Sequence, residues 1–176
     1  MATITKARCQ AYKTISGNSP KITYHVQGTA ETFKKGALLY LTSTMTVRKF
    51  PNGQASTAFD TWRTRILGIA GADATDYTLQ ATANAAGPNM PVYVANRDTL
   101  FMSNCCNRSV ASTGSLAYAD LGKVACASGN ASMFFVELAA SAPSSLLRIV
   151  EFVDAKGDLY GRVLWQLLHP AHAFRD

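Results

Sequence analysis

The sequence predicts an all-β fold, and three observations lead to this prediction. Most apolar stretches are short and rich in β-branched or aromatic residues, as in Ile22–Val26, where the side chains alternate in polarity. Gly, Pro, Asn or Asp bounds these stretches, as at Pro51-Asn52-Gly53. Helix signals are scarce. Short strands at this spacing are typical of a sandwich or a barrel.

The predicted strands follow one another along most of the chain. In order they are Ile22–Val26, Ala37–Thr42, Met45–Phe50, Arg65–Ala70, Pro91–Ala95, Thr99–Ser103, Met133–Leu138, Leu146–Val153 and Leu159–Leu168. The polar run Asp154–Asp158 contains a glycine and predicts a hairpin loop between the last two strands.

At most one or two short helices are predicted. Asp73 to Asp76 can cap a short helix that continues to Ala83, because Asp and Thr side chains accept hydrogen bonds from the free amides at a helix start. Gly87-Pro88 ends this segment. The stretch Asn107–Asp120 has little pattern, and loops of this length are usually functional or contact a partner.

Positive charge is concentrated towards the N-terminus. The net charge is +6, and residues 1–50 contain eight Lys and Arg against Glu31 alone. We predict a basic extended arm over residues 1–30, which can include one strand, and a single β-rich domain over residues 31–176. The asymmetry indicates an acidic partner, either nucleic acid or a negatively charged protein surface, with a solvated arm as the alternative.

The sequence shows neither an export signal nor a membrane span. Met1–Gln10 lacks the apolar region of a signal peptide, and no apolar run approaches the roughly 20 residues of a spanning helix. We therefore expect the chain to fold in a cytoplasm. Its four cysteines are too few for a disulfide scaffold and are expected to be reduced, with the vicinal pair Cys105–Cys106 as the exception to check.

Common catalytic and cofactor motifs are missing. His169 and His172 have no Cys or acidic residue at ligand spacing beside them, and Cys105–Cys106 lacks the spacer of a CxxC motif. Neither GxGxxG nor GxxxxGK[ST] occurs. We expect no catalytic residues, no metal and no cofactor, and we predict that the protein is not an enzyme.

An aromatic residue between cations supports a rival function. Trp62, Arg63 and Arg65 can stack on bases and bind phosphates, as in single-strand binders, although a solvent-facing row explains them equally well.

The order of several segments resembles a known family. The segments are Thr32–Tyr40 (TFKKGALLY), Ile66–Ala70 (ILGIA), Asp73–Thr78, Met90–Ala95 (MPVYVA), Thr99–Phe101 and Tyr118–Val124. Over about residues 30–160 this order is similar to the head decoration, or cement, proteins of tailed bacteriophages with HK97-type capsids. The resemblance implies a small β-barrel or β-tulip-like sandwich, an extended arm and assembly on the outer shell, often as trimers. The long basic N-terminal segment and Leu159–Asp176 depart from the family.

The predicted function is therefore structural. We expect a virion protein that binds the outer surface of the assembled phage capsid and cements neighbouring major capsid subunits non-covalently. Its expected partners are the major capsid protein and copies of itself, as a trimer or other homo-oligomer; we expect no membrane partner and no nucleic acid. A nucleic-acid-binding β-barrel and a tail or fibre connector are the alternatives. Candidate capsid contacts are Lys6, Arg8, Lys13, Lys21, Lys34, Lys35, Trp62 and Arg63.

Overall fold

The structure is a computed structural model of the 176-residue chain. It describes residues 2–25, 27, 32–44, 46–50, 65–74, 90–107, 114–129, 134–138 and 146–168, with only the backbone described for residues 126–129. The strands in this part of the chain are β1 (Gln10–Thr14), β2 (Ile22–His25), β3 (Leu38–Leu41), β4 (Val47–Lys49), β5 (Ile66–Ala70), β6 (Met90–Val94), β7 (Thr99–Cys106), β8 (Val124–Gly129), β9 (Phe134–Glu137), β10 (Leu147–Phe152) and β11 (Arg162–Leu167). One turn of 3-10 helix spans Tyr118–Asp120.

The first sheet contains six strands in the order β1-β7-β11-β10-β8-β9. All of these neighbours are antiparallel. A short parallel pairing, Cys105 with Val136 and Cys106 with Glu137, also connects β9 to β7. The long strand β7 thus pairs with three other strands of this sheet, β1, β11 and β9.

The second sheet contains five antiparallel strands in the order β2-β6-β5-β3-β4. Its middle strand β5 is buried along its whole length. A strand that is buried on both faces usually has a continuous apolar sequence, and Ile66–Ala70 has such a sequence. The sheet therefore has a buried layer on each side.

The main core lies between the two sheets. Trp165 and Phe101 of the first sheet stack with ring centroids 4.9 Å apart, and Leu38 and Ile66 of the second sheet belong to the same buried cluster. The Trp165 indole N–H donates to the Ser103 hydroxyl over 2.9 Å, so the largest core side chain buries no unsatisfied donor. A second cluster, which includes Phe33, Leu39 and Leu67, covers the other face of the five-stranded sheet.

The all-β prediction is confirmed, and the strands form two sheets rather than one closed barrel. Every predicted strand overlaps an observed strand, and the bounds of each pair agree within a few residues. The sequence prediction missed β1 and β8, whose residues are mixed in polarity or small, and it ended β7 three residues early. The aromatic residues Phe33, Tyr40 and Phe50 are buried.

The N-terminal segment predicted as an extended arm contributes a strand to each sheet. β1 pairs with β7, and β2 pairs with β6. Of the predicted helix from Asp73 to Ala83, only Asp73 and Ala74 lie within the described residues. The division of the chain at residue 30 stays a prediction.

Candidate docking surface

The first residues of the chain are held along the outside of the domain. The Ala2 amide donates to Asp158 Oδ1 over 2.7 Å, and Ala2 and Ile4 exchange backbone hydrogen bonds with Leu159. The Ala7 amide donates to Asn104 Oδ1 over 2.7 Å. These contacts fix the path of the backbone up to Cys9, which enters the main core.

Gly36 brings this segment against the turn that precedes β3. Gly36 has φ +90°, a conformation that favours glycine, and an added Cβ would lie 2.5 Å from the Cys9 carbonyl oxygen. The Ala37 amide closes the turn by donating to the Lys34 carbonyl over 3.0 Å. The close approach of two backbones at Gly36 therefore places Arg8 beside Lys34 and Lys35.

These three basic residues converge on one carboxylate. Asp73 Oδ1 accepts from the Lys35 backbone amide over 2.6 Å and lies 3.2 Å from Arg8 Nη1. Asp73 Oδ2 lies 3.0 Å from Lys34 Nζ. We call Arg8, Lys34, Lys35 and Asp73 the Asp73 cluster. It carries three cations against one anion.

The charges of the cluster face solvent. The side chains of Arg8, Lys34 and Asp73 are 49%, 38% and 24% exposed, and Lys35 is exposed as well. Hydrogen bonds from the Lys35 amide and then from the Lys34 ammonium lower the pKa of Asp73, and attraction to Lys34 and Arg8 adds to this effect. Asp73 therefore stays ionised, and the cluster keeps a net positive charge.

The other described basic candidates lie apart from this cluster. Lys6 Nζ lies 4.2 Å from the centroid of the Tyr160 ring. Lys13 Nζ pairs with Glu151 Oε2 over 3.2 Å, and both side chains are about half exposed. Lys21 is exposed just before β2. Trp62 and Arg63 lie outside the described residues.

Several exposed apolar side chains lie in the same stretch of sequence as basic residues of the N-terminal segment. Of the eight large apolar residues that are exposed in the described part of the chain, Tyr12, Ile15, Ile22 and Tyr24 fall within one short segment. Ile22 and Tyr24 are 43% and 65% exposed on β2, the outermost strand of the second sheet. Among the described strands only β6 pairs with β2. Just beyond β2, Gln27 forms an isolated parallel bridge with Val47 of β4, so the edge that can receive a further strand is limited to Ile22–His25.

A second exposed apolar site lies at the 3-10 turn. Tyr118 and Leu121 are 70% and 52% exposed, and Lys156 Nζ lies 4.4 Å from the Tyr118 ring centroid. The buried Asp120 holds the turn by accepting from the Ala117 amide over 2.9 Å and from Lys123 Nζ over 3.3 Å. The turn falls in the stretch Asn107–Asp120, which has little sequence pattern, and no local pattern marks Tyr118 as an exposed aromatic residue.

The cysteines are separated by the fold. Cys105 faces the main core, whereas Cys106 packs with Phe135 and Tyr160 on the opposite face of β7. Burial, with a smaller contribution from Cys106, raises the pKa of Cys105 to about 12, and burial also raises that of Cys9. Cys9 and Cys105 are free thiols.

Neither a metal-binding group nor a spanning helix is found in the residues that the structure describes. No three His, Cys, Asp or Glu side chains come together there as potential metal ligands. No helix in the same residues is long and apolar enough to cross a membrane. The pair His169 and His172 lies outside them.

Comparison with known proteins gives no relative. No family model, no curated protein and no solved structure matches the chain. The resemblance to decoration proteins therefore stays a prediction, and the described surface is the basis for the functional argument.

Proposed function

We propose that the protein is a structural component of a virus particle that binds the outer surface of an assembled phage capsid. In this role it cements neighbouring major capsid subunits by non-covalent contacts and acts as a homo-oligomer. The resemblance of residues 30–160 to decoration proteins suggests this partner. The proposed role is structural and involves no catalysis.

The observation that carries the proposal is the combination of an exposed apolar edge strand with a basic surface in one N-terminal segment. Ile22 and Tyr24 on β2 can act as anchors, because large apolar and aromatic side chains contribute most of the binding free energy at protein interfaces. The outer edge of β2 can accept a strand from a neighbouring subunit, with backbone hydrogen bonds adding to the affinity. Lys21 and the Asp73 cluster add the positive charge that steers a protein towards an acidic surface.

A cement protein does not need a large interface for each copy. A protein that binds only the assembled shell stabilises that state by mass action. Many copies, linked to each other as oligomers, gain further affinity through multivalency. A small apolar edge with a polar rim is therefore sufficient for this function.

Co-sedimentation with phage shells tests the proposal. The full chain is mixed with emptied, expanded shells and with a double-stranded oligonucleotide of random sequence, both at physiological salt. We expect the protein to sediment with the shells until their sites are saturated and to raise the temperature at which the shells come apart. Tight oligonucleotide binding with no shell binding would show instead that the nucleic-acid alternative is right.

A further inference from the structure

We propose that the Asp73 cluster binds carboxylate side chains of an acidic protein partner. In this proposal the Asp73 carboxylate competes with the partner's carboxylates for the cations of the cluster. The identity of the partner as a capsid surface rests on the proposed function. The chemistry of the ligand is inferred from the cluster alone.

The cluster is already arranged around a carboxylate. The Lys35 amide and Arg8 contact one oxygen of Asp73, and Lys34 contacts the other, at 2.6–3.2 Å. These are ordinary distances for charge-assisted hydrogen bonds. The donors therefore converge on a position that a single carboxylate fills.

The cations of the cluster keep donors for a second carboxylate. A guanidinium has five N–H groups and an ammonium has three, while Arg8 and Lys34 each make one described contact to Asp73. Both side chains are more than one third exposed, and Lys35 contributes only its backbone amide to Asp73. A partner carboxylate can therefore bind at the rim of the cluster without entering the fold.

The central anion favours a protein partner over nucleic acid. A nucleic-acid backbone carries closely spaced phosphates, and proteins that bind it do so by neutralising several of them at once. Asp73 would repel those phosphates in the middle of the basic surface. A protein surface presents separate carboxylates, which can contact Arg8, Lys34 and Lys35 at the rim and avoid Asp73.

This arrangement predicts that removing an acid improves binding. In Asp73→Asn the amide oxygen can still accept from the Lys35 amide, so the turn keeps its backbone hydrogen bond while the negative charge is lost. The variant should bind a glutamate oligomer about fivefold more tightly than the wild type at low salt, because one repulsive charge near the ligand is gone. The difference should shrink as salt screens it.

Asp98→Asn is the matched control, because it changes the net charge by the same amount elsewhere. The two aspartates lie near opposite ends of β6. Asp98 follows the end of this strand. Asp73 lies near its beginning, because the amide of Gly71, two residues before Asp73, donates to the Pro91 carbonyl. The control should bind the glutamate oligomer as the wild type does. Equal gains in the two variants, or no gain in a folded Asp73→Asn protein, would overturn the proposal.

A second pair of variants keeps the test decisive if Asp73→Asn does not fold. Arg8→Gln and Lys34→Gln each remove a cation, and each should weaken binding of the glutamate oligomer several-fold while circular dichroism stays unchanged. Unaltered binding in both would overturn the proposal. Tighter binding of a single-stranded oligonucleotide than of the glutamate oligomer by the wild type would overturn the choice of a protein partner.

Shell binding separates this inference from the proposed function. If the wild type sediments with shells but Asp73→Asn and Arg8→Gln have unchanged occupancy, the cluster is not the contact, whereas the cement function stands. If the glutamate measurements follow the prediction but no shell binding is found, the surface is correct and the partner is another acidic protein.

Discussion

At the scale of single residues, the charged side chains with the best geometry are those that stabilise turns. Arg162 donates from Nε and Nη2 to the two oxygens of Asp154 over 2.9 and 2.7 Å, and its backbone amide donates to Asp154 Oδ2 over 2.7 Å. The Asp154 side chain is 10% exposed. This bidentate pair closes the β10–β11 connection and differs from the exposed pair of Lys13 with Glu151, which contributes little to stability.

The Asp154–Arg162 pair predicts a specific loss of stability in acid. The hydrogen bonds from Arg162 lower the pKa of Asp154 below its ordinary value of 3.8. Its contribution is therefore present above that pH and is lost as the pH falls towards the lowered folded-state pKa. We expect Asp154→Asn to cost about 2 kcal/mol at pH 7, with a smaller difference from the wild type near pH 2. Urea unfolding at both pH values measures this, with Glu151→Gln as the control that should change little at either.

From the positions of the cysteines we predict that reducing agents do not change the stability of the fold. Adjacent residues of a strand point to opposite faces, and Cys105 and Cys106 belong to different buried clusters. A disulfide would need their Cβ atoms about 3.5–4.5 Å apart with a suitable torsion, which an extended strand does not supply. We expect dithiothreitol to leave the melting temperature unchanged. A disulfide contributes about 2–4 kcal/mol, so a fall of several degrees on reduction would show that this assignment is wrong.

At the scale of elements, β2 is one of the two edge strands of its sheet, and unlike the other edge strand, β4, it exposes alternate residues. Ile22 and Tyr24 are exposed, whereas Thr23 and His25 are partly buried. β6 supplies its one described strand partner. A protein that stays monomeric usually protects such an edge, and an edge with apolar side chains indicates a partner.

Substitutions on β2 should separate binding from stability. Ile22→Thr with Tyr24→Thr places β-branched threonine, which favours strands, at both exposed positions, so the free energy of unfolding should change by about 0.5 kcal/mol or less. Loss of two apolar anchors should lower shell affinity by roughly 30-fold or more. Tyr118→Thr is the control, since it removes an equally exposed tyrosine from the 3-10 turn. Equal losses in the double variant and the control would show that β2 has no special part in docking.

At the scale of the whole molecule, the fold gathers part of the N-terminal charge excess into one cluster and leaves the other basic residues apart from it. Residues 1–50 contain eight of the seventeen Lys and Arg, and three of these eight belong to the Asp73 cluster. Lys21 and Lys35 are exposed, and no ion pair joins either side chain to another described residue. These two lysines are therefore available to steer an acidic partner with little effect on the fold.

Reversing the charge of these two lysines distinguishes the cement function from nucleic-acid binding. In Lys21→Glu with Lys35→Glu we expect the melting temperature to be almost unchanged and association with shells to be slower, most clearly at low salt. If nucleic acid were the partner, a plot of log affinity against log salt concentration would be less steep for this double variant than for the wild type, by about two units of slope. Arg148→Glu with Lys156→Glu is the matched control outside the N-terminal segment. Shell association rates that do not differ between the two double variants would contradict a docking role for this segment.

The sequence by itself determined the fold class and most of the strands. Alternating or fully apolar runs such as Ile22–Val26 and Ile66–Ala70 report the two-residue period and the burial of a strand, and Gly or Pro marks where each run ends. The same reasoning predicted the basic N-terminal segment. It missed β1, because Gln10–Thr14 is polar enough to resemble a loop and becomes a strand only by pairing with β7.

The tertiary structure decided which of the basic residues act together. Arg8 and Asp73 are 65 positions apart, and no sequence periodicity connects them. The contact exists because Gly36 admits the Cys9 backbone beside the β3 turn, while the hydrogen bonds between β3 and β5 bring the end of β5 to the same place. Asp near Thr is a local signal for a helix cap, and all but the first two residues of the helix predicted from Asp73 lie outside the described residues, so that role stays a prediction. Long-range backbone packing also makes Asp73 the centre of a cationic cluster, and such packing leaves no local mark in the sequence.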